Sequence, residues 1–150
     1  MKRHSEAVER ALAEAEAAFA RGEVPVGAVV TDADGNIVAA NGNRTRELCD
    51  PTAHAEILAI RAACRLAGSQ RLASHDLYVS LEPCTMCAAA ISFARIRRLY
   101  FGAGDPKMGA VEHGARVFTL ATCHHAPEVY GGIGEKPAAD LLLRFFGEKR

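Results

Sequence analysis

The stretch Leu77-Tyr78-Val79-Ser80-Leu81-Glu82-Pro83-Cys84-Thr85-Met86-Cys87 changes period within a few residues, and this restricts the fold more than any other part of the chain. Leu77, Val79 and Leu81 alternate as a strand does, and Pro83 then opens a helix carrying Cys84, Cys87, Ile91 and Phe93. Strand and helix periods also alternate elsewhere. Ser5 is a candidate N-cap for a helix whose apolar residues Val8, Leu12, Ala15 and Phe19 share a stripe, and Arg21-Gly22 supplies its stop. Residues 24–30 read as a buried strand broken at its start by Pro25, and Asp34-Gly35 turns the chain into a returning strand at residues 37–40. A second helix is expected from Asp50-Pro51-Thr52, with Asp50 as cap, through Ile57, Leu58, Ile60 and Leu66 to Gly68. Ile96, Leu99, Tyr100 and Phe101 read as a strand, Val117, Phe118 and Leu120 as a weaker one. Residues 137–147 read as a last helix with Leu141, Leu142, Phe145 and Phe146 on one face. Helices alternating with strands after an opening hairpin predict an α/β fold, a three-layer α/β/α sandwich with a mixed sheet of about five strands.

At 150 residues, with no linker or repeat, the chain reads as one domain spanning 1–150, long enough to bury its own core. Its 49% hydrophobic and 24% charged residues exclude a disordered tail and a disulfide-held mini-protein. No apolar run reaches the length of a membrane span, and the first residues lack an apolar signal core, so no membrane partner is expected and the location is read as cytoplasmic. Eighteen basic residues balance eighteen acidic ones, which argues against a general nucleic-acid coat but leaves room for local patches. Five cysteines, an odd number, point to a reducing compartment and to metal or catalytic use.

Cys84 and Cys87, three apart at a helix start, place both sulfurs on one face, where the helix N-terminus favours thiolates. His54 adds an imidazole near another helix start. Two thiolates and an imidazole suit Zn2+, and three protein ligands, rather than four, leave a position for water as catalytic sites do. Glu56, two residues past His54, is placed to work on that water. Singly, each residue has a plainer reading: a core or solvated histidine, a surface glutamate, a pair of small buried cysteines. Together, His-x-Glu and Pro-Cys-x-x-Cys form the known signature of zinc nucleobase deaminases. A fourth ligand would undo the open site; Cys123-His124-His125 is the first candidate and Cys49 the second, while Cys64 reads as core.

At these residues the chain resembles the bacterial tRNA adenosine deaminase family, within the cytidine deaminase-like fold. The resemblance extends through Glu23-Val24-Pro25-Val26-Gly27-Ala28-Val29, Gly42-Asn43-Arg44, Asp50-Pro51-Thr52-Ala53-His54-Ala55-Glu56-Ile57, Asp105-Pro106-Lys107 and Phe145-Phe146. It implies a homodimeric enzyme with one Zn2+ per subunit that converts adenosine to inosine at the wobble position of a tRNA anticodon, with an arginine tRNA as the expected substrate. His54, Cys84 and Cys87 would be the metal ligands, and Glu56 the proton shuttle for a zinc-bound water acting as nucleophile. Asn43 would hold the purine, Asp105 would grip the target and its neighbours in the anticodon stem-loop, and Lys107 would meet a phosphate. Asn43 and Asp105 read equally well as turn residues after Gly42 and before Pro106. Gly104 stands where an arginine is frequent in that family, and the basic end Lys149-Arg150 is short beside those of other members; both bear on RNA affinity.

Two rival functions remain open on sequence. A deaminase of a free nucleobase or nucleoside, such as guanine or cytosine, would use the same zinc site with a different pocket. A zinc-stabilised binding module would lack catalysis; Glu56 and the missing fourth ligand speak against it.

Overall fold

The chain folds around a five-stranded mixed sheet in the order β2-β1-β3-β4-β5. The structure is a computed structural model and describes residues 2–148, so Lys149-Arg150 lies outside it. The elements follow as α1 (Lys2–Ala20), β1 (Gly27–Thr31), β2 (Ile37–Gly42), α2 (Ala55–Ala67), β3 (Asp76–Leu81), α3 (Thr85–Phe93), β4 (Arg98–Ala103), β5 (Glu128–Tyr130) and α4 (Glu135–Glu148). β1 is antiparallel to both β2 and β3, whereas β3, β4 and β5 run parallel. Helices α1 and α4 cover one face, and α2 and α3 the other, giving the expected three layers. Most of the core lies on the α2/α3 side, where Val30, Leu77, Val79, Leu99 and Phe101 meet Ala59, Ile60, Ala88 and Ile91.

Helix α1 starts at Lys2, ahead of the Ser5 cap, and buries Ala7, Ala11, Ala15 and Ala18 rather than the stripe of larger residues. The cause lies in the sheet, where Gly27 of β1 pairs with Gly42 of β2 beneath the helix. A Cβ at Gly27 would fall 2.0 Å from the Ala11 carbonyl oxygen, and one at Gly42 would fall 2.6 Å from that of Glu14. Only alanine on the helix and glycine on the strands allow backbones to come so close.

Other boundaries also moved. β1 begins at Gly27, not at residue 24, because Pro25 has no N–H for the ladder and the Val26 N–H turns back to the Val24 carbonyl at 2.9 Å. Asp50 does not cap α2; its carboxylate accepts the Thr52 N–H at 2.8 Å and hydroxyl at 2.7 Å, forming a turn, and His54 is the N-cap. The helix ends at Gly68, in the left-handed conformation at φ 65°. Residues 117–119 form a single 3₁₀ turn, and the fifth strand is β5, whose residues are mostly exposed and carry no apolar alternation.

Candidate active site

Two helix starts converge at the metal-binding residues. His54 is the N-cap of α2 and Cys84 the N-cap of α3, both in extended backbone, and Cys87 lies in the first turn of α3. The His54 Nδ1 stands 3.6 Å from the Cys84 sulfur and 3.5 Å from that of Cys87. Zinc bonds of ~2.3 Å to sulfur and ~2.0 Å to nitrogen, arranged tetrahedrally, give a nitrogen–sulfur edge of about 3.5 Å, so the donor set fits the ion. Among the described residues this is the one group of three or more such side chains gathered within 4.8 Å. Cys123 lies instead beside Ser92, and its thiol points to the His125 carbonyl at 3.2 Å; Cys49 is exposed. Neither joins the group.

The electrostatics divide the three donors. A hydrogen bond from Cys87 and the neighbouring His54 hold the Cys84 thiol at about 4, so it stands as a thiolate at neutral pH, while burial opposes the shift. The same hydrogen bond and burial push the Cys87 thiol up. His54 is raised by its hydrogen bond to Cys84.

Glu56 sits in the first turn of α2 and is buried. Burial pushes its carboxyl up to about 7, reinforced by the Cys84 thiolate and opposed by its own backbone N–H, His54 and a hydrogen bond with Cys87. A carboxyl that titrates near neutral pH can both accept and return a proton.

The group opens into a cavity of about 560 Å³ that His54, Glu56 and Cys84 line at one end. That volume suits a nucleoside-sized ligand. Val24, Val26, Asn43, the 104–108 segment and Leu142 and Phe146 of α4 also line the cavity. Asn43 is buried; its N–H donates to the Val26 carbonyl at 3.1 Å, and the Arg21 guanidinium donates to the Asn43 carbonyl at 3.1 Å. Asp105 does make the turn before Pro106, accepting the N–H groups of Lys107 and Met108, each at 3.1 Å, and it also lines the cavity. All seven candidate residues therefore lie in or beside one cavity.

Sequence reasoning assigned no role to two buried carboxylates beside the cavity. Glu23 accepts the backbone N–H groups of Arg46 at 3.1 Å and Glu47 at 2.8 Å, fixing the turn that follows Asn43. Glu82, whose side chain is 0% exposed, accepts backbone N–H groups from Asp105, Val111, Glu112 and His113. Burial alone would raise its carboxyl, but these donors and the His113 side chain outweigh it and hold Glu82 at about 2. The available signal was an acid closing an apolar strand directly before a proline. Phe146, expected on the apolar face of the last helix, also lines the cavity.

A family model, the cytidine and deoxycytidylate deaminase zinc-binding region, matches residues 1–103. The tRNA-specific adenosine deaminase of Agrobacterium fabrum is 63% identical over 143 residues, covering 95% of this chain and 93% of that protein. A solved tRNA:A34 deaminase, studied for A-to-I editing at the wobble position of transfer RNA, superimposes with a TM-score of 0.90 and 62% identity over 92% of this chain and 99% of the other. The guanine deaminase of Bacillus subtilis gives a TM-score of 0.64 and 40% identity over 67% of this chain and 64% of its own.

Proposed function

The chain belongs to the tRNA-specific adenosine deaminases, within the cytidine and deoxycytidylate deaminase family, and from that premise we propose that it converts adenosine to inosine at the wobble position of a tRNA anticodon stem-loop. It is a zinc-dependent hydrolase. The observation that carries the reading is the convergence of three soft donors and one buried carboxyl at the end of a nucleoside-sized cavity.

His54, Cys84 and Cys87 would hold one Zn2+ per subunit, which when bound would supply a Lewis acid that acidifies water for attack on the purine. Glu56 takes a proton from that water and delivers one to purine N1, its ionisation near 7 suiting both transfers. The water oxygen bonds to C6, a further proton passes from that hydroxyl to the amino nitrogen, and the C6–N bond breaks to release ammonia and leave a carbonyl. Asn43, buried and fixed through its backbone at both ends, holds the purine. Asp105 shapes the loop that grips the target and neighbouring nucleotides, and Lys107, exposed on that loop, meets a phosphate.

The reading includes a homodimer and a cytoplasmic location, with residues 1–150 as one catalytic domain. An apolar patch where Phe93 of α3 is 75% and Leu120, just after the 3₁₀ turn, 46% exposed along a groove of about 220 Å³ supports self-association. Five free cysteines suit a reducing compartment.

A second reading, deamination of a free base such as guanine, is favoured by the zero net charge, by Gly104 in place of a basic residue and by the guanine deaminase likeness. The test incubates the zinc-loaded protein with an arginine-tRNA anticodon stem-loop carrying adenosine at the wobble position, and separately with adenosine, adenine, guanine and cytosine. Products are read by mass spectrometry. Inosine in the stem-loop with little turnover of the free compounds is the expected result; turnover of a free base alone would overturn the tRNA assignment.

A further inference from the structure

We propose that Glu82 is a positioning residue for substrate binding, the fixed point from which the substrate-facing loop 104–113 is hung. This rests on the deaminase reading above and adds to it a residue outside the metal and proton-transfer groups. The carboxylate divides its work between its two oxygens. Oε2 accepts the N–H groups of Val111 at 3.0 Å, Glu112 at 2.9 Å and His113 at 3.1 Å. Oε1 accepts the Asp105 N–H at 2.9 Å and meets the His113 Nδ1 at 2.6 Å. A buried ionised carboxylate is costly unless its lone pairs are used, and here a single loop occupies them from both of its ends.

The loop is built to close over this group. A Cβ on Gly109 would lie 2.4 Å from the Asp105 carbonyl oxygen and 2.5 Å from the Glu82 carboxyl carbon, so only glycine lets the chain pass. From Asp105 the constraint continues outward. Its backbone is pinned by Glu82, and its side chain in turn accepts the N–H groups of Lys107 and Met108, each at 3.1 Å. Two hydrogen-bonding steps therefore lead from a group with no solvent exposure to the backbone of Lys107 and Met108, two exposed residues that border the cavity. Glu82 also stands two residues before Cys84, and Cys84 bridges Gly109, so the loop and the metal-binding end share one piece of chain.

Glu82→Gln separates the two oxygens. The amide has one carbonyl, which retains more partners on the Oε2 side. Its NH2 then faces the Asp105 N–H, donor against donor, and the Asp105 anchor is lost. With the anticodon stem-loop as substrate, KM should rise about tenfold, as for the loss of one charge-assisted hydrogen bond, while kcat changes less than about threefold and zinc content stays at one per chain. Because Glu82 acts through Asp105, the same substitution placed in Asp105→Ala should add less than about twofold. Gly109→Ala, which displaces the loop and leaves the carboxylate intact, should reproduce the KM-weighted loss if Glu82→Gln fails to fold. A fall in kcat at constant KM, an undiminished penalty in the Asp105→Ala background, or unaltered kinetics for Gly109→Ala would each overturn the proposal. Absence of stem-loop turnover by the unsubstituted protein would instead refute the deaminase reading, and this one with it.

Discussion

Replacing Gly27 with alanine tests whether α1 truly lies backbone-to-backbone on the sheet. The added methyl would sit 2.0 Å from the Ala11 carbonyl oxygen, 2.6 Å from the Ala15 nitrogen and 2.9 Å from the Glu14 Cβ, where ordinary contact begins at 3.4 Å. Two of these three obstacles are helix backbone atoms, which cannot rotate aside as a side chain would. The helix must withdraw by roughly 1 Å, and overpacking of this kind typically costs 1–3 kcal/mol. We place the loss near the top of that range, at about 3 kcal/mol, because withdrawal also loosens the packing of Ala7, Ala11, Ala15 and Ala18. Urea unfolding of the zinc-loaded protein, followed by circular dichroism, should show a midpoint about 1.5 M lower at a slope of about 2 kcal/mol/M. Zinc must be held constant, since an ion that binds the native state shifts the midpoint by itself. Gly147→Ala is the matched control: it lies in α4, and a Cβ there meets nothing within 4 Å. It should be neutral or stabilise by up to ~1 kcal/mol, as alanine does in a helix. A Gly27→Ala protein within about 1 kcal/mol of the original would refute the close approach.

Two further outcomes follow from the site and the core. Glu56→Gln should keep zinc and the fold but reduce turnover by about 10²–10⁴, the contribution of a positioned acid–base group; robust deamination would remove its assigned role. Tyr78 is buried and its hydroxyl pairs with the His4 Nδ1 at 2.8 Å; burial, with Tyr100 adding, pushes its phenol from 10.0 up to about 12. A folded value above the unfolded one means that its contribution is intact below pH 10 and is lost as pH rises through 12, about 3 kcal/mol in all. Tyr78→Phe should flatten that alkaline loss in denaturation midpoints, and an unchanged pH profile would count against it.

The residues easiest to read in the sequence were those whose chemistry dictates their spacing. His54, Glu56, Cys84 and Cys87 can act together only from helix starts, and the structure gathers them there. The mixed sheet and its layers were legible for a related reason, since Leu77–Leu81 and the residues after Pro83 carry distinct periods. The α1 stripe was misjudged because hydropathy ranks Val8, Leu12 and Phe19 above alanine, whereas proximity to Gly27 and Gly42 selects for smallness. β5 escaped notice because an edge strand with exposed residues needs no apolar pattern. The anchoring by Glu82 was invisible because its partners lie more than twenty residues later and, apart from the His113 ring, are backbone N–H groups, which leave no trace in a list of side chains.

The order in which the cavity is built along the chain has a consequence for changing its selectivity. The proposed metal donors and Glu56 fall within residues 54–87, inside the region that the family model spans. Gly104, Asp105, Lys107 and Met108, with Leu142 and Phe146, come after it. The candidate reacting groups and this part of the cavity wall are thus written in successive stretches of sequence that meet only in three dimensions, while Val24, Val26 and Asn43 of the wall precede both. A library confined to the last third of the chain can alter what enters the cavity and leave the reacting groups untouched. Substitutions in the first two thirds carry the risk of disabling the chemistry before any new preference can be measured.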